Sequence, residues 1–325
     1  MPSGENEDDV KETWPPPSMS TRNPPPSGWL RNTFCVPGAS RSRVLIALLP
    51  FVILLTPLPA QASSPGFITI CTYTHSARDD PIVYPGRPGA SHLHDFFANP
   101  STEARSTYAS MTAATSTCGT EEDTAGYWTP ALYKNGSKIA PCTGRRNDGA
   151  ALRCTFYYRE DNISSTYKAA HPVEVFPANF RMVTGNGHAA SESKNPNLGK
   201  ELYYGCSDNS TGKLKAPPNC STGTISIHVG FPNCWNGQTT GTNDTPNVAW
   251  PSSGVCPPAF PKVLPRVIMR LEYKVGNSSS GIKLSSGPVY TLHGDFWNTW
   301  EQSALSALVA RCLTSPNDCG NNPNP

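Results

Sequence analysis

Thr224-Ile225-Ser226-Ile227-His228-Val229-Gly230-Phe231 is the stretch that decides the fold class. Ile225, Ile227 and Val229 alternate with Ser226, His228 and Gly230, the period of two expected of a strand with one face buried and the other wet. Outward from it, short runs rich in aromatic and β-branched residues recur, separated by Gly, Pro, Asn and Ser. They cover residues 67–74, 127–133, 152–159, 173–176, 180–184, 202–205, 267–275 and 289–293. Strands at this spacing without intervening helices predict an all-β domain, a sandwich or jelly roll. One helix is expected near the C-terminus, where Thr299 and Gln302 have capping-box spacing and Leu305, Leu308, Val309 and Cys312 share a face.

Composition agrees with a turn-rich exported chain. The 325 residues include 34 Pro and 26 Gly, only 15% are charged, and the formal net charge is +2. That balance lacks the concentrated basic surface a nucleic-acid partner requires. With one long apolar run, the chain is not a polytopic membrane protein.

That run, Val44 to Leu55, has the length of a signal-peptide core and follows Arg41 and Arg43. Ala60-Gln61-Ala62 supplies the small residues of a cleavage site. The organisation read from these signals is a polar, proline-rich leader over 1–43 and the export segment over 44–62. A single secreted β domain over 63–314 and a tail over 315–325 follow. The n-region is unusually long, so an uncleaved leader would be the one route to a membrane. The expected location is extracellular or cell-surface.

Eleven cysteines include Cys35 in the leader. The other ten are Cys71, Cys118, Cys142, Cys154, Cys206, Cys220, Cys234, Cys256, Cys312 and Cys319. An even set in an exported chain reads as a disulfide framework, and no Cys-x-x-Cys pair points to structural zinc. Spacing does not determine connectivity, but closure of 142–154, 206–220, 234–256 and 312–319 is expected because each spans a Gly-, Pro- or Asn-rich loop. A disulfide-stapled domain with long loops is the resulting picture.

Chemistry concentrates in two segments. Arg78-Asp79-Asp80-Pro81-Ile82-Val83-Tyr84-Pro85-Gly86 precedes Ser91-His92-Leu93-His94-Asp95. On extended backbone His92 and His94 project from one face, able to converge on a metal ion or on an anionic or hydroxylated ligand. Asp95 could orient an imidazole or ligate independently. The plainer alternative is that these histidines hydrogen-bond loop carbonyls. His293-Gly294-Asp295-Phe296-Trp297-Asn298-Thr299-Trp300 is the second, with His293 and Asp295 on one face if extended. Its plain alternative makes Asp295 part of a helix cap. Trp235, beside Cys234, would serve packing or, if exposed, sugar stacking; Trp128 and Tyr133 carry the same ambiguity. His188 and His228 occur singly and read as structural or exposed. Nucleophile-elbow, Walker, dinucleotide-binding and His-Glu-x-x-His motifs are absent, so no nucleotide cofactor is expected.

Over roughly residues 78–301 the chain resembles a family of secreted bacterial and fungal proteins known only as a domain of unknown function. In fungi that domain is often joined to WSC carbohydrate-binding modules. The resemblance rests on Asp80-Pro81-Ile82-Val83 with Pro85-Gly86, Ser91-His92-Leu93-His94, Tyr127-Trp128-Thr129-Pro130-Ala131-Leu132-Tyr133, Phe176 to Met182, Phe231-Pro232-Asn233-Cys234-Trp235, and the His293–Trp300 segment. Where the family usually has an Asp after Cys-Trp, this chain has Asn236, and Asp244 and Asn247 replace two further histidines. Phe260-Pro261 replaces a His-Pro. His92, His94 and His293 persist, which implies a smaller polar site.

These readings favour a secreted monomer acting on an extracellular or cell-wall polysaccharide as a hydrolase or lyase. His92, His94, Asp95, His293 and Asp295 would be catalytic, and Arg78, Asp80, Tyr84, Trp128, Tyr133 and Trp235 would contact substrate. A divalent metal, if used, would sit on His92 and His94. The competing reading is a non-catalytic glycan- or cell-wall-binding module.

Overall fold

The computed structural model describes residues 65–314 and 318–320. The leader and export segment lie outside the described residues. Two sheets form the body. One has six strands, Gly66–Cys71, Cys154–Arg159, Leu202–Cys206, Thr224–Gly230, Arg266–Lys274 and Asp318–Gly320. The other has five, Tyr73–Ala77, His94–Ala98, Gly126–Pro130, Arg181–Gly185 and His293–Trp297. Pairing is antiparallel except where Asp318–Gly320 runs parallel to Gly66–Cys71 at an edge. Two three-stranded sheets lie beside these: Leu132–Lys134, Ser137–Lys138 and Ile282–Leu284; and Cys234–Trp235, Val248–Ala249 and Lys262–Val263. The domain is therefore all-β and disulfide-rich, with the sheets packed as a sandwich.

Alternation explains the layering. Ile225, Ile227 and Val229 are buried toward the core, but the other face of this strand is not the wet one expected: Ser226 is 1% exposed, Gly230 is buried, and His228 is half-buried. In the five-stranded sheet Phe97, Tyr127, Met182 and Phe296 point to the other sheet, where Phe156 lies 4.2 Å from the Tyr127 ring and 6.1 Å from that of Phe97. The opposite face of this sheet is also covered: Phe96, Trp128 and Trp297 pack there with Ile82 and Met111 from the 78–112 segment. The three central strands, His94–Ala98, Gly126–Pro130 and His293–Trp297, are thus buried on both faces. This second, covered face holds the candidate site.

All ten cysteines pair, as 71–118, 142–154, 206–220, 234–256 and 312–319. The four loop-closing bridges fall where expected; the fifth joins the two cysteines left over.

Several local expectations are corrected. Residues 289–293 are not a strand: Val289–Thr291 is a 3-10 turn, and the strand is His293–Trp297, which pairs on both sides. Asp295 therefore lies mid-strand and caps nothing. Residues 173–176 form only an isolated bridge at Val173. The C-terminal helix, Gln302–Cys312, is capped not by Thr299 but by Glu301, whose carboxylate accepts from Ser303 N and Ala304 N. Thr299 instead donates inward, to the Thr124 carbonyl. Two shorter helices, Tyr108–Thr112 and Ser165–Ala170, were not foreseen, because neither is long enough to show a helical period.

Candidate active site: three imidazoles and two carboxyls under a polar cleft

Antiparallel register places the site. His94 opens the strand His94–Ala98, and His293 opens His293–Trp297, with Gly126–Pro130 between them. Asp295 pairs with Trp128 and Val183 on its two sides. Side chains two apart share a face, so His293 and Asp295 emerge together. His92 enters from the loop before His94.

The loop from Asp79 to Ser91 is held by its own carboxylates. Asp80 Oδ1 accepts from Ile82 N at 3.0 Å and Val83 N at 2.9 Å. Asp79 accepts from Gly89 N and Ala104 N, tying both ends of the cover together. The facing loop is pinned by Asn195, whose Nδ2 donates to the carbonyls of Tyr290 and Leu292 just before His293.

Three imidazoles meet edge to edge. His293 Nε2 stands 3.1 Å from His92 Nε2 and 3.3 Å from His94 Nε2. The opposite ring nitrogens are anchored: His94 Nδ1 lies 2.9 Å from the Asp79 carbonyl and His293 Nδ1 2.8 Å from that of Thr291. A second group, Asp80, His94 and Asp295, has one ligand-type atom from each residue within 4.8 Å of the others. Both Asp295 carboxyl oxygens are buried without a hydrogen-bond partner.

Burial dominates the electrostatics. It lowers His92 to about 3, aided by His293, His188 and Arg78. Burial takes His94 well below the ordinary range and brings His293 to about 4. Burial raises Asp80 to about 6 against its two backbone donors, and raises Asp295 well above the usual carboxylate range, with the Asp80 charge adding to the effect. Burial thus favours the neutral forms of all three imidazoles and of the Asp295 carboxyl.

Above this floor opens a cleft of about 800 Å³. Its walls include Tyr84, Asn186, His188, Asn197, Thr242 and Asp244. Side-chain amides, hydroxyls and ionisable groups thus dominate the lining.

The family model "Domain of unknown function (DUF1996)" matches residues 80–300, more than half of the chain. The chain belongs to this family. Searches of curated proteins and of solved structures each gave no match.

The DUF1996 domain brings together His92, His94, His293, Asp80 and Asp295, with Tyr84 on the cleft wall. Other residues considered from sequence lie elsewhere. Asp95 points to the opposite face of its strand, where Ser76 donates to it at 2.6 Å and Lys138 pairs with it at 2.9 Å. It neither ligates nor orients an imidazole, since neighbouring strand residues alternate faces. Trp128 is fully buried in the cover. Trp235 is buried, donates to the Gln238 carbonyl and lies under the Lys262 ammonium. Tyr133 sits half-buried in a side sheet, away from the cleft lining. The Arg78 side chain is exposed; its charge acts on His92, and its carbonyl accepts from Ser91 N.

The sequence reading missed the far wall. His188 lines the cleft, and Asp244 lines it too. Gly187 is a tighter constraint, because a Cβ there would stand 2.9 Å from His293 Cε1. Single glycines and histidines in polar loops carry no periodic signal that could have shown this.

Proposed function

We propose that this protein is a carbohydrate-active hydrolase or lyase acting on an extracellular or cell-wall polysaccharide. The observation that carries the reading is the convergence of His92, His94, His293, Asp80 and Asp295 on the floor of an open polar cleft. Asn186, Asn197 and Thr242 offer paired donors and acceptors suited to sugar hydroxyls. Imidazoles and carboxyls in reach of one bound chain supply the acid and base that bond cleavage requires. Five disulfides suit an oxidising, extracellular compartment. No described helix is long and apolar enough to cross a membrane.

A purely glycan-binding module is the weaker reading. Such modules stack sugars on exposed aromatic faces, yet Trp128, Trp297 and Trp300 are fully buried. On the outer face of the six-stranded sheet, the Tyr203 ring is occupied by His228, stacked at 4.2 Å, and by Lys213.

The deciding experiment screens the purified protein against a polysaccharide panel, beside His92→Ala and Asp295→Asn variants. Turnover of one polysaccharide that both substitutions remove, with folding retained, is the expected result. Turnover unchanged in both variants would place the chemistry elsewhere.

A further inference from the structure

We infer that His92, His94 and His293 form a binding site for one divalent first-row transition ion, with zinc the reference case. This inference concerns a metal site and stands whether or not the substrate is a polysaccharide.

Hydrogen bonding determines where the lone pairs point. A backbone carbonyl only accepts, so Nδ1 of His94 donates to Asp79 and Nδ1 of His293 donates to Thr291. A neutral imidazole protonated at Nδ1 carries its lone pair on Nε2. The two Nε2 atoms nevertheless face each other at 3.3 Å. Two lone pairs at that distance repel unless a cation lies between them. His92 can direct an N–H at one of these lone pairs, but not at both in a way that relieves the contact between them. An ion accepting all three nitrogens relieves every contact at once.

The spacing matches coordination. Two Zn–N bonds of about 2.0–2.1 Å at a tetrahedral angle separate their nitrogens by about 3.3–3.4 Å. The separations here are 3.1 and 3.3 Å. Backbone carbonyls on the far ring nitrogens are the partners that orient metal-ligating histidines elsewhere. Three imidazoles select zinc, copper, nickel or iron over calcium and magnesium, which prefer oxygen.

A second, independent feature is the carboxyl pair. Asp295 is 1% exposed and has no partner on either oxygen, and Asp80 lies beside it. Among the described residues neither forms an ion pair with a Lys, Arg or His side chain. A divalent ion next to them would give the two partnerless Asp295 oxygens a positive group to face. Because His92 and His293 both line the cleft, a fourth position would be reachable from it, as in catalytic rather than structural zinc sites.

The experiment is metal titration of the purified, oxidised protein after chelator treatment. Calorimetry with zinc is paired with cobalt absorption and with elemental analysis. We expect one equivalent of zinc and intense visible bands of tetrahedral cobalt, with magnesium and calcium silent. His92→Ala, at the half-exposed ligand, should weaken binding by more than the ~10–100-fold that loss of an orienting partner costs. His228→Ala, on the opposite sheet, should bind as the parent does. His92→Ala is paired with circular dichroism, and His293→Gln is a second variant should it unfold. The inference is overturned if the folded parent takes up no zinc, cobalt, copper or nickel. It is equally overturned if the folded His92→Ala and His293→Gln variants bind like the parent. A bound metal without polysaccharide turnover would refute the proposed function alone.

Discussion

Gly187 packs against the ring of His293, and the space there admits no methyl group: a Cβ would meet Cε1 at 2.9 Å and Nδ1 at 3.1 Å. Gly187→Ala should push the ring off the Thr291 carbonyl. Zinc affinity should fall ~10–100-fold, the effect of disturbing an orienting hydrogen bond, while the melting temperature changes little; calorimetry and thermal melts read the two separately. Asp123 is the residue with the clearest pH signature. It is fully buried and accepts from Ala125 N and from the Tyr127 hydroxyl. Trp300 Nε1 donates to the Tyr158 hydroxyl, which shares a hydrogen bond of 2.5 Å with the Tyr127 hydroxyl, so the carboxyl ends a buried chain of hydroxyls. Burial raises Asp123 from 3.8 to about 8. A carboxyl raised on folding contributes stability that is complete below pH 4 and is lost as pH climbs toward 8. Asp123→Asn should therefore gain on the parent between pH 4 and pH 8, seen as a melting-temperature difference that grows more favourable with pH.

At the scale of elements, the strand His293–Trp297 joins core to site. Its odd members, His293 and Asp295, face the cleft, and Phe296 faces the other sheet. Gly294 lets the sheets approach, since a Cβ there would lie 2.6 Å from Met269 Cε and 2.7 Å from Val229 Cγ1. Gly294→Ala should cost roughly 1–3 kcal/mol by overpacking, measurable in denaturant unfolding, and should reduce metal uptake by shifting both flanking side chains. The helix Gln302–Cys312 depends on the exposed Glu301 cap. Glu301→Ala should cost about 1 kcal/mol and leave metal binding unchanged, which separates helix stability from site geometry.

For the whole molecule, five bridges restrain a chain rich in loops. The Cys71–Cys118 bridge closes the longest separation, 47 residues, and Cys312–Cys319 the shortest, 7. Chain-entropy scaling predicts losses of about 4 and about 2 kcal/mol on their removal. Paired Cys-to-Ala variants compared by guanidinium midpoint should preserve that order. The 71–118 bridge also ties the six-stranded sheet to the loop entering Gly126–Pro130, so its loss should loosen the cover over the site and weaken zinc binding as well.

Strand alternation at Ile225, Ile227 and Val229, the near-neighbour bridges and the membership of His92, His94, His293 and Asp295 in polar motifs were legible from the chain, because each depends on residues close in sequence. Local pattern determined the all-β class and the residue types that could do chemistry. Which of them meet was decided by tertiary structure. His92 and His293 are 201 residues apart, and only the pairing of both flanking strands with Gly126–Pro130 sets their rings side by side. Asp95 was read into the site and Gly187 was not considered, for the same reason: the first depends on which face of the sheet is covered, the second on where a distant loop returns. Neither is a property of nearest neighbours along the chain, and burial, which favours the neutral forms of the imidazoles and of Asp295, exists only once the cover has folded over the sheet.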